Sequence, residues 1–279
     1  MKTRMFVSVS VCAIALFCTA QAGATTVVYN DFSSSAGLAI NGSASANFNN
    51  GIDPAPVLRL VRATTSQSGS AFSQTTLNAS NFSTFFKSRI TNPGGIYDGY
   101  QTGADGLVFV VQPVSSSIGG AGGGMGYAGI SPSVGVEFDT WLNGWDPSTN
   151  HLGIDTNGNV ASVITSSPGA RLDDGNLWYA WVDYDGTTLD VRANQTTVRP
   201  VLPNLSLAID LPSVIGTTSA YVGFTAGTGA AYGNHDIVSW EYRDEFDPIV
   251  DAIPEPLTMT ALALAAGGLG CYVRKRRIA

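Results

Sequence analysis

The sequence predicts an all-β fold, a sandwich of antiparallel sheets, on three observations. Short runs that alternate or read as buried recur along it: V-L-R-L-V from Val57, G-L-V-F-V-V from Gly106, W-Y-A-W-V-D-Y from Trp178 and A-Y-V-G-F from Ala220. Gly, Ser, Asn and Pro punctuate these runs, and few windows carry a helical period. The gaps between runs are too short for a second domain boundary, so the roughly 230 residues between the two chain ends form one domain.

At the amino end, Lys2 and Arg4 precede an apolar run over residues 5–18 and then T-A-Q-A-G-A. A basic flank, a short apolar stretch and small residues at the cleavage positions predict a secretory signal peptide over residues 1–24. Cleavage after Ala22 or Ala24 fits equally well. At the opposite end, beyond a linker over 247–253, Pro254-Glu255-Pro256 opens residues 254–279. An uncharged, mostly apolar run over 257–273 follows, then R-K-R-R from Arg274. Its length borders on that of a membrane-spanning helix, and the basic cluster fits a cytoplasmic stop. A permanent anchor is one reading. The combination also resembles the PEP-CTERM sorting tail of Gram-negative bacteria. That resemblance implies a transient transmembrane helix, cleavage by an exosortase-type enzyme, and release to the cell surface or the extracellular matrix.

The three cysteines, Cys12, Cys18 and Cys271, all fall in these end segments, so the domain holds no disulfide and must rely on its core. The whole chain carries a formal charge of −7; without its two ends the domain has 8 basic and 20 acidic residues, a net −12. Such a domain is not expected to bind nucleic acid through its phosphates.

Residues 136–155, V-E-F-D-T-W-L-N-G-W-D-P-S-T-N-H-L-G-I-D, carry the densest chemistry. Read as a strand, the segment turns Val136 and Phe138 to one face and Glu137 and Asp139 to the other. Two carboxylates side by side repel unless a cation lies between them. Asn143, Asp146 and His151 follow at once. The oxygen donors Asp139, the Trp141 carbonyl, Asn143 and Asp146 suit Ca2+. The mixed set Glu137, Asp139, Asp146 and His151 suits Mn2+ or another transition metal. Asp139 and Asp146 are common to both, which predicts two ions close together. Ordinary turn chemistry would also use Asp, Asn, Gly and Pro here.

This stretch resembles the paired Ca2+/Mn2+ loop of the L-type (legume-type) lectins, whose ligands correspond to the two sets just named. Further segments extend the resemblance over residues 26–242. Ala71-Phe72 with N-F-S-T-F-F-K-S-R-I from Asn81 looks like the family's early front-to-back strand pair, and W-Y-A-W-V-D-Y-D-G from Trp178 like its mid-domain hairpin. Y-V-G-F-T-A-G-T-G from Tyr221 and N-H-D-I-V-S-W-E-Y from Asn234 look like its closing loop and last strand. The resemblance implies a concanavalin-like jelly-roll sandwich over residues 25–246 and a metal-dependent carbohydrate-binding function without catalysis.

Its implied sugar site joins separate loops. Asp105, after a cis peptide at Ala104, accepts hydrogen bonds from sugar hydroxyls. Gly123, within G-G-A-G-G-G-M-G, lets a backbone N–H approach closely, and Asn143 serves calcium through oxygen and sugar through nitrogen. Trp141 or a neighbour offers an apolar face to the pyranose. Ala230 is the contact expected from the fourth loop, which is shorter than in many plant members. Trp stands where the family often has Phe or Tyr, and Met125 where Leu is common, departures that bear on sugar preference.

The expected partners are a glycan or exopolysaccharide and an exosortase-type processing enzyme, with homo-oligomerisation a further option. Two competing readings are a concanavalin-like glycoside hydrolase and a matrix protein without sugar binding. A hydrolase needs two carboxylates flanking the scissile bond. The laminarinase-like pattern E-x-D-x-(x)-E lacks its second Glu here, since Asn143 follows Glu137, Asp139 and Trp141.

Overall fold

In the computed structural model, residues 25–117 and 122–250 are described; the predicted signal peptide and sorting tail lie outside them. No helix among the described residues is long and apolar enough to cross a membrane. The strands are β1 (Thr26–Tyr29), β2 (Leu38–Gly42), β3 (Ser45–Phe48), β4 (Val57–Val61), β5 (Ser68–Ser73), β6 (Leu77–Asn78), β7 (Phe82–Gly95) and β8 (Gly106–Gln112). They continue with β9 (Val134–Asp139), β10 (His151–Thr156), β11 (Asn159–Ser166), β12 (Trp178–Tyr184), β13 (Thr188–Asn194) and β14 (Leu205–Ala208). A five-residue helix α1 (Leu211–Ile215) precedes β15 (Ser219–Gly227) and β16 (Ala231–Arg243).

Two antiparallel sheets result. The back sheet runs β14-β13-β12-β7-β16-β4-β3, with β1 also on β16. The front sheet runs β11-β10-β9-β8-β15-β5-β2, with β6 also on β15. The predicted sandwich is therefore present, and the expected front-to-back pair is β5 and β7. Aromatic rings fill the space between the sheets. Phe86 and Trp240 from the back meet Phe224 from the front, with ring centroids 4.9 Å apart for Phe86–Phe224 and 5.2 Å for Phe224–Trp240. Phe138 of β9 joins edge-on, 5.5 Å from Phe86.

That contact orients the chemistry. With Val136 and Phe138 locked into the inter-sheet core, the pleat of β9 sends Glu137 and Asp139 to the other face of the front sheet. There they are shielded rather than solvated, because a second, smaller core covers this face. Phe72, Val108 and Val110 pack under Met125, Tyr127 and Ile130 of the segment that follows the glycine run. Tyr127 is fixed by Ser133, whose hydroxyl lies 2.9 Å from the phenol oxygen, and by the Gly158 N–H at 3.2 Å.

Helix α1 was not foreseen, although its signals are in the sequence. Asp210 caps it by accepting the Ser213 N–H at 3.0 Å, Pro212 sits in its first turn, and Gly216 ends it at a φ of 78°. His235 and Asp236 are buried within β16. Asp236 is fully buried against Arg59, with two contacts of 2.7 Å.

Candidate functional site

Strand pairing assembles the first half of the site. Antiparallel register sets His151 opposite Asp139 and Gly153 opposite Glu137. Facing residues of an antiparallel pair share one side of the sheet, so Glu137, Asp139 and His151 converge. Each offers a ligand atom within 4.8 Å of the others, and all three are buried. Glu137 Oε1 lies 3.0 Å from His151 Nε2, and His151 Nδ1 is 3.2 Å from the Ser148 carbonyl.

Three residues supporting this trio escaped the sequence reading. Ser162 on β11 places its hydroxyl against Glu137 Oε1 and 2.7 Å from Asp155 Oδ1. Burial, then the charge of Glu137, pushes the Asp155 carboxyl up to about 9, so it is protonated at neutral pH and can complete the Ser162 bridge between two acids. Gly153 supplies space: a Cβ there would collide with both Ser162 Oγ and Glu137 Oε1. Gly153→Ala is therefore expected to displace Glu137 and lower transition-metal affinity about 10- to 100-fold, the range typical of damage next to a ligand. Titration of the chelated protein with Mn2+ measures this.

Asp146 and Asn143 close the loop after β9. The Asn143 N–H donates to Asp146 Oδ2 at 2.6 Å, and the Asp146 N–H to the Asn143 carbonyl at 3.1 Å. Asp139 accepts the Trp141 N–H at 2.7 Å. Its carboxyl is held well above the usual carboxylate range by burial, then by the charges of Asp146, Glu137 and Asp105.

Asp105 belongs to the same cluster. The Ala104–Asp105 peptide is cis. The Asp105 N–H donates to Gly227 at 3.1 Å, and its carbonyl accepts the Thr140 N–H at 3.0 Å, binding it to the end of β9. The side chain is 3 % exposed, and burial, then Asp146, raises its carboxyl to about 7. Its Oδ2, Glu137 Oε2 and Asn143 Nδ2 are buried and have no protein hydrogen-bond partner. Buried polar atoms are ordinarily paired. Unpaired acceptors together with carboxyls pushed upward by one another are what cation ligands look like without the cation, so the residues present fit a bound metal.

The remaining loops close around Asp105. A Cβ on Gly123 would lie 3.1 Å from Asn143 Oδ1, so the glycine run reaches the metal loop. The run is anchored beside Gly227, whose added Cβ would sit 2.5 Å from the Gly122 carbonyl. In the fourth loop it is Gly229 whose Cβ position lies 3.6 Å from Asp105 Oδ2. Ala230 is exposed, and its carbonyl accepts the Ile96 N–H at 3.4 Å. Gly229 thus lies beside Asp105, a neighbour that the sequence reading passed over. Trp141 is partly exposed at the loop edge.

These charges make stability depend on pH in a metal-sensitive way. Asp105 and Asp155 hold protons more tightly when folded, so their contribution to the chelated protein is complete below the unfolded carboxyl value near 3.8. It is lost as the pH rises through about 7 and about 9. His235, fully buried and lowered to about 4, acts oppositely: its contribution is present above its unfolded value of 6.5 and lost as pH falls. Between pH 6.5 and 9 only the carboxyls act. The melting temperature in EDTA is expected to decline across that window, and saturating Ca2+ and Mn2+ to flatten the decline, as thermal unfolding in both buffers would record.

Comparison with known proteins agrees with this geometry. The legume lectin domain profile matches residues 24–255. An L-type lectin-domain containing receptor kinase, VIII.1, of Arabidopsis thaliana is 35% identical over 177 residues, 59% of this chain but 24% of that protein. The basic agglutinin of Psophocarpus tetragonolobus is 36% identical over 155 residues, 50% of this chain and 60% of its own. The match thus spans about a quarter of that receptor kinase and under two thirds of that agglutinin. Among solved structures, basic winged bean lectin with Tn-antigen superposes with a TM-score of 0.66 at 28% identity, covering 79% of this chain and 98% of that one. Winged bean acidic lectin complexed with methyl-α-D-galactose gives 0.65 at 27%, with 79% and 98% covered. With two antiparallel sheets, the acidic loop and this profile in agreement, the chain belongs to the legume lectin domain family of carbohydrate-binding lectins.

Proposed function

We propose that this domain is a metal-dependent, non-catalytic glycan receptor, exported and displayed at a bacterial surface or in an extracellular matrix. The observation that carries the reading is the buried Asp105 carboxylate, whose Oδ2 has no protein partner and whose backbone is tied to the strand that ends in Asp139. In this reading Ca2+ is held by Asp139, the Trp141 carbonyl, Asn143 and Asp146, and Mn2+ or a similar ion by Glu137, Asp139, Asp146 and His151. The ions supply positive charge that keeps these carboxylates ionised and the loop in one shape.

The chain's own residues then do the recognition. Ionised Asp105 accepts hydrogen bonds from sugar hydroxyls, which are stronger than neutral ones because the acceptor is charged. Asn143 Nδ2 and a backbone N–H at Gly123 donate, Trp141 offers an apolar face, and Gly229 and Ala230 shape the wall behind Asp105. A solvated sugar exchanges one set of hydrogen bonds for another, so a single site binds weakly and adhesion relies on multivalent display. Residues 1–24 and 254–279 would provide that display, through export and exosortase-type processing before release or anchoring. The test is retention of residues 25–253, which hold every described strand and the whole core, on immobilised glycans in Ca2+ and Mn2+. Elution by EDTA supports the reading; failure to bind both glycan and metal sinks it.

A further inference from the structure

Among the described residues four aromatic side chains are exposed: Tyr97 at 64%, Tyr100 at 74%, Trp145 at 53% and Phe246 at 49%. A ring left in water forgoes the burial that usually accounts for its presence in a fold. Three of these four sit on two loops that border Asp105, a clustering that chain position does not require.

The loop carrying Tyr97 and Tyr100 is held in place although its rings are not. At one end the Ile96 N–H meets the Ala230 carbonyl at 3.4 Å, one residue from the Gly229 that faces Asp105. At the other, the Gln101 amide donates to the carbonyls of Thr140, at 2.6 Å, and Thr149, at 2.9 Å, on either side of the metal loop. The tip between them is a closed turn. The Asp98 N–H bonds the Gln101 carbonyl at 3.0 Å, and Asp98 Oδ1 accepts the N–H groups of Tyr100 and Gln101 at 2.8 Å each. Trp145 lies within the turn closed by Asn143 and Asp146.

We propose that Tyr97, Tyr100 and Trp145 form an aromatic rim that receives further residues of a neutral linear polysaccharide whose one sugar sits at Asp105. The proposal rests on the lectin reading and names its ligand class. Each pyranose has a C–H face that an aromatic ring covers without asking for a particular hydroxyl pattern, so a rim of rings suits the repeating part of a polymer. Charge selects the neutral kind. Residues 94–104 and 140–150 contain no Lys or Arg, whereas Asp98 and Asp146 lie among them and Asp105 directly follows. With the charge of the two ions taken up by Glu137, Asp139, Asp146 and Asp105, Asp98 is left over and an acidic polymer would meet no free counter-charge.

The experiment uses residues 25–253 with Ca2+ and Mn2+ and measures affinity for glucose, galactose, mannose and N-acetylglucosamine, each as monosaccharide and as linear tetra- and hexasaccharide. The proposal expects the hexasaccharide of the recognised sugar to bind about tenfold or more tighter than its monosaccharide, the gain from covering some tens of Å2 of ring surface. Tyr97→Ala/Tyr100→Ala and Trp145→Ala should each cut that ratio severalfold, leave monosaccharide affinity and melting temperature unchanged, and quench less on oligosaccharide addition. Asp105→Ala should abolish both. A wild-type ratio near one, or a ratio that survives the triple replacement, overturns the rim and leaves the Asp105 site standing. Monosaccharide binding that survives Asp105→Ala, or no sugar binding by the wild type, overturns the lectin reading and the rim with it.

Discussion

Asp139→Asn is expected to abolish sugar binding and metal binding together while leaving the chelated protein folded. Asp139 is a ligand common to both proposed ions, it is 1% exposed, and the carboxyl groups of Asp146, Glu137 and Asp105 crowd its own. Removing its charge removes a donor from each ion, and metal affinity should fall by at least about 100-fold, the upper range for damage at a ligand shell. Without metal the same change relieves repulsion among buried acids, so the melting temperature in EDTA should stay level or rise. Added Ca2+ and Mn2+ should then no longer raise it, where a protein with ligand at a hundred times its dissociation constant gains about 2.7 kcal/mol. Calorimetric metal titration and thermal unfolding of the variant check both halves. A variant that keeps its metal-induced stabilisation would remove Asp139 from the centre.

Asp105→Ala separates the sugar site from the ions. Two charge-assisted hydrogen bonds to hydroxyls would be lost, worth about 1.5–3 kcal/mol each, so glycan affinity should drop by roughly two orders of magnitude or more. Metal stoichiometry should not change, because Asp105 is in neither proposed ligand set and its backbone bond to Thr140 is kept in the variant. Asp105→Asn should do nearly as much harm, since an amide presents a donor where two acceptors are required. Equilibrium binding to the best glycan, with metal content measured on the same samples, distinguishes this outcome from simple loss of the ions.

Much of this was legible in the sequence because it depends on local pattern. Alternation in W-Y-A-W-V-D-Y gives the β12 strand, and the pleat alone puts Glu137 and Asp139 on the face opposite Phe138. The acidic loop is contiguous, so its donors could be sorted by chemistry before any coordinates. The supporting residues were not legible, because they act across strands. Gly153 matters only once register sets it opposite Glu137, and Ser162 only once β11 folds back beside β10. Gly229 comes beside Asp105 for a similar reason: the path of the three-residue connection between β15 and β16 is fixed by the bonds at its ends, not by its composition. The cover over the front sheet was equally hidden, since Met125, Tyr127 and Ile130 lie in a glycine-rich segment with no period to read.

The most direct test of the account is reversible metal dependence on a single sample. Residues 25–253 are bound to an array of immobilised glycans in Ca2+ and Mn2+, stripped with EDTA, and returned to the two ions. The account predicts binding to a restricted set of glycans that disappears on chelation and returns on re-addition. Binding to the same glycans that persists undiminished in EDTA would contradict it.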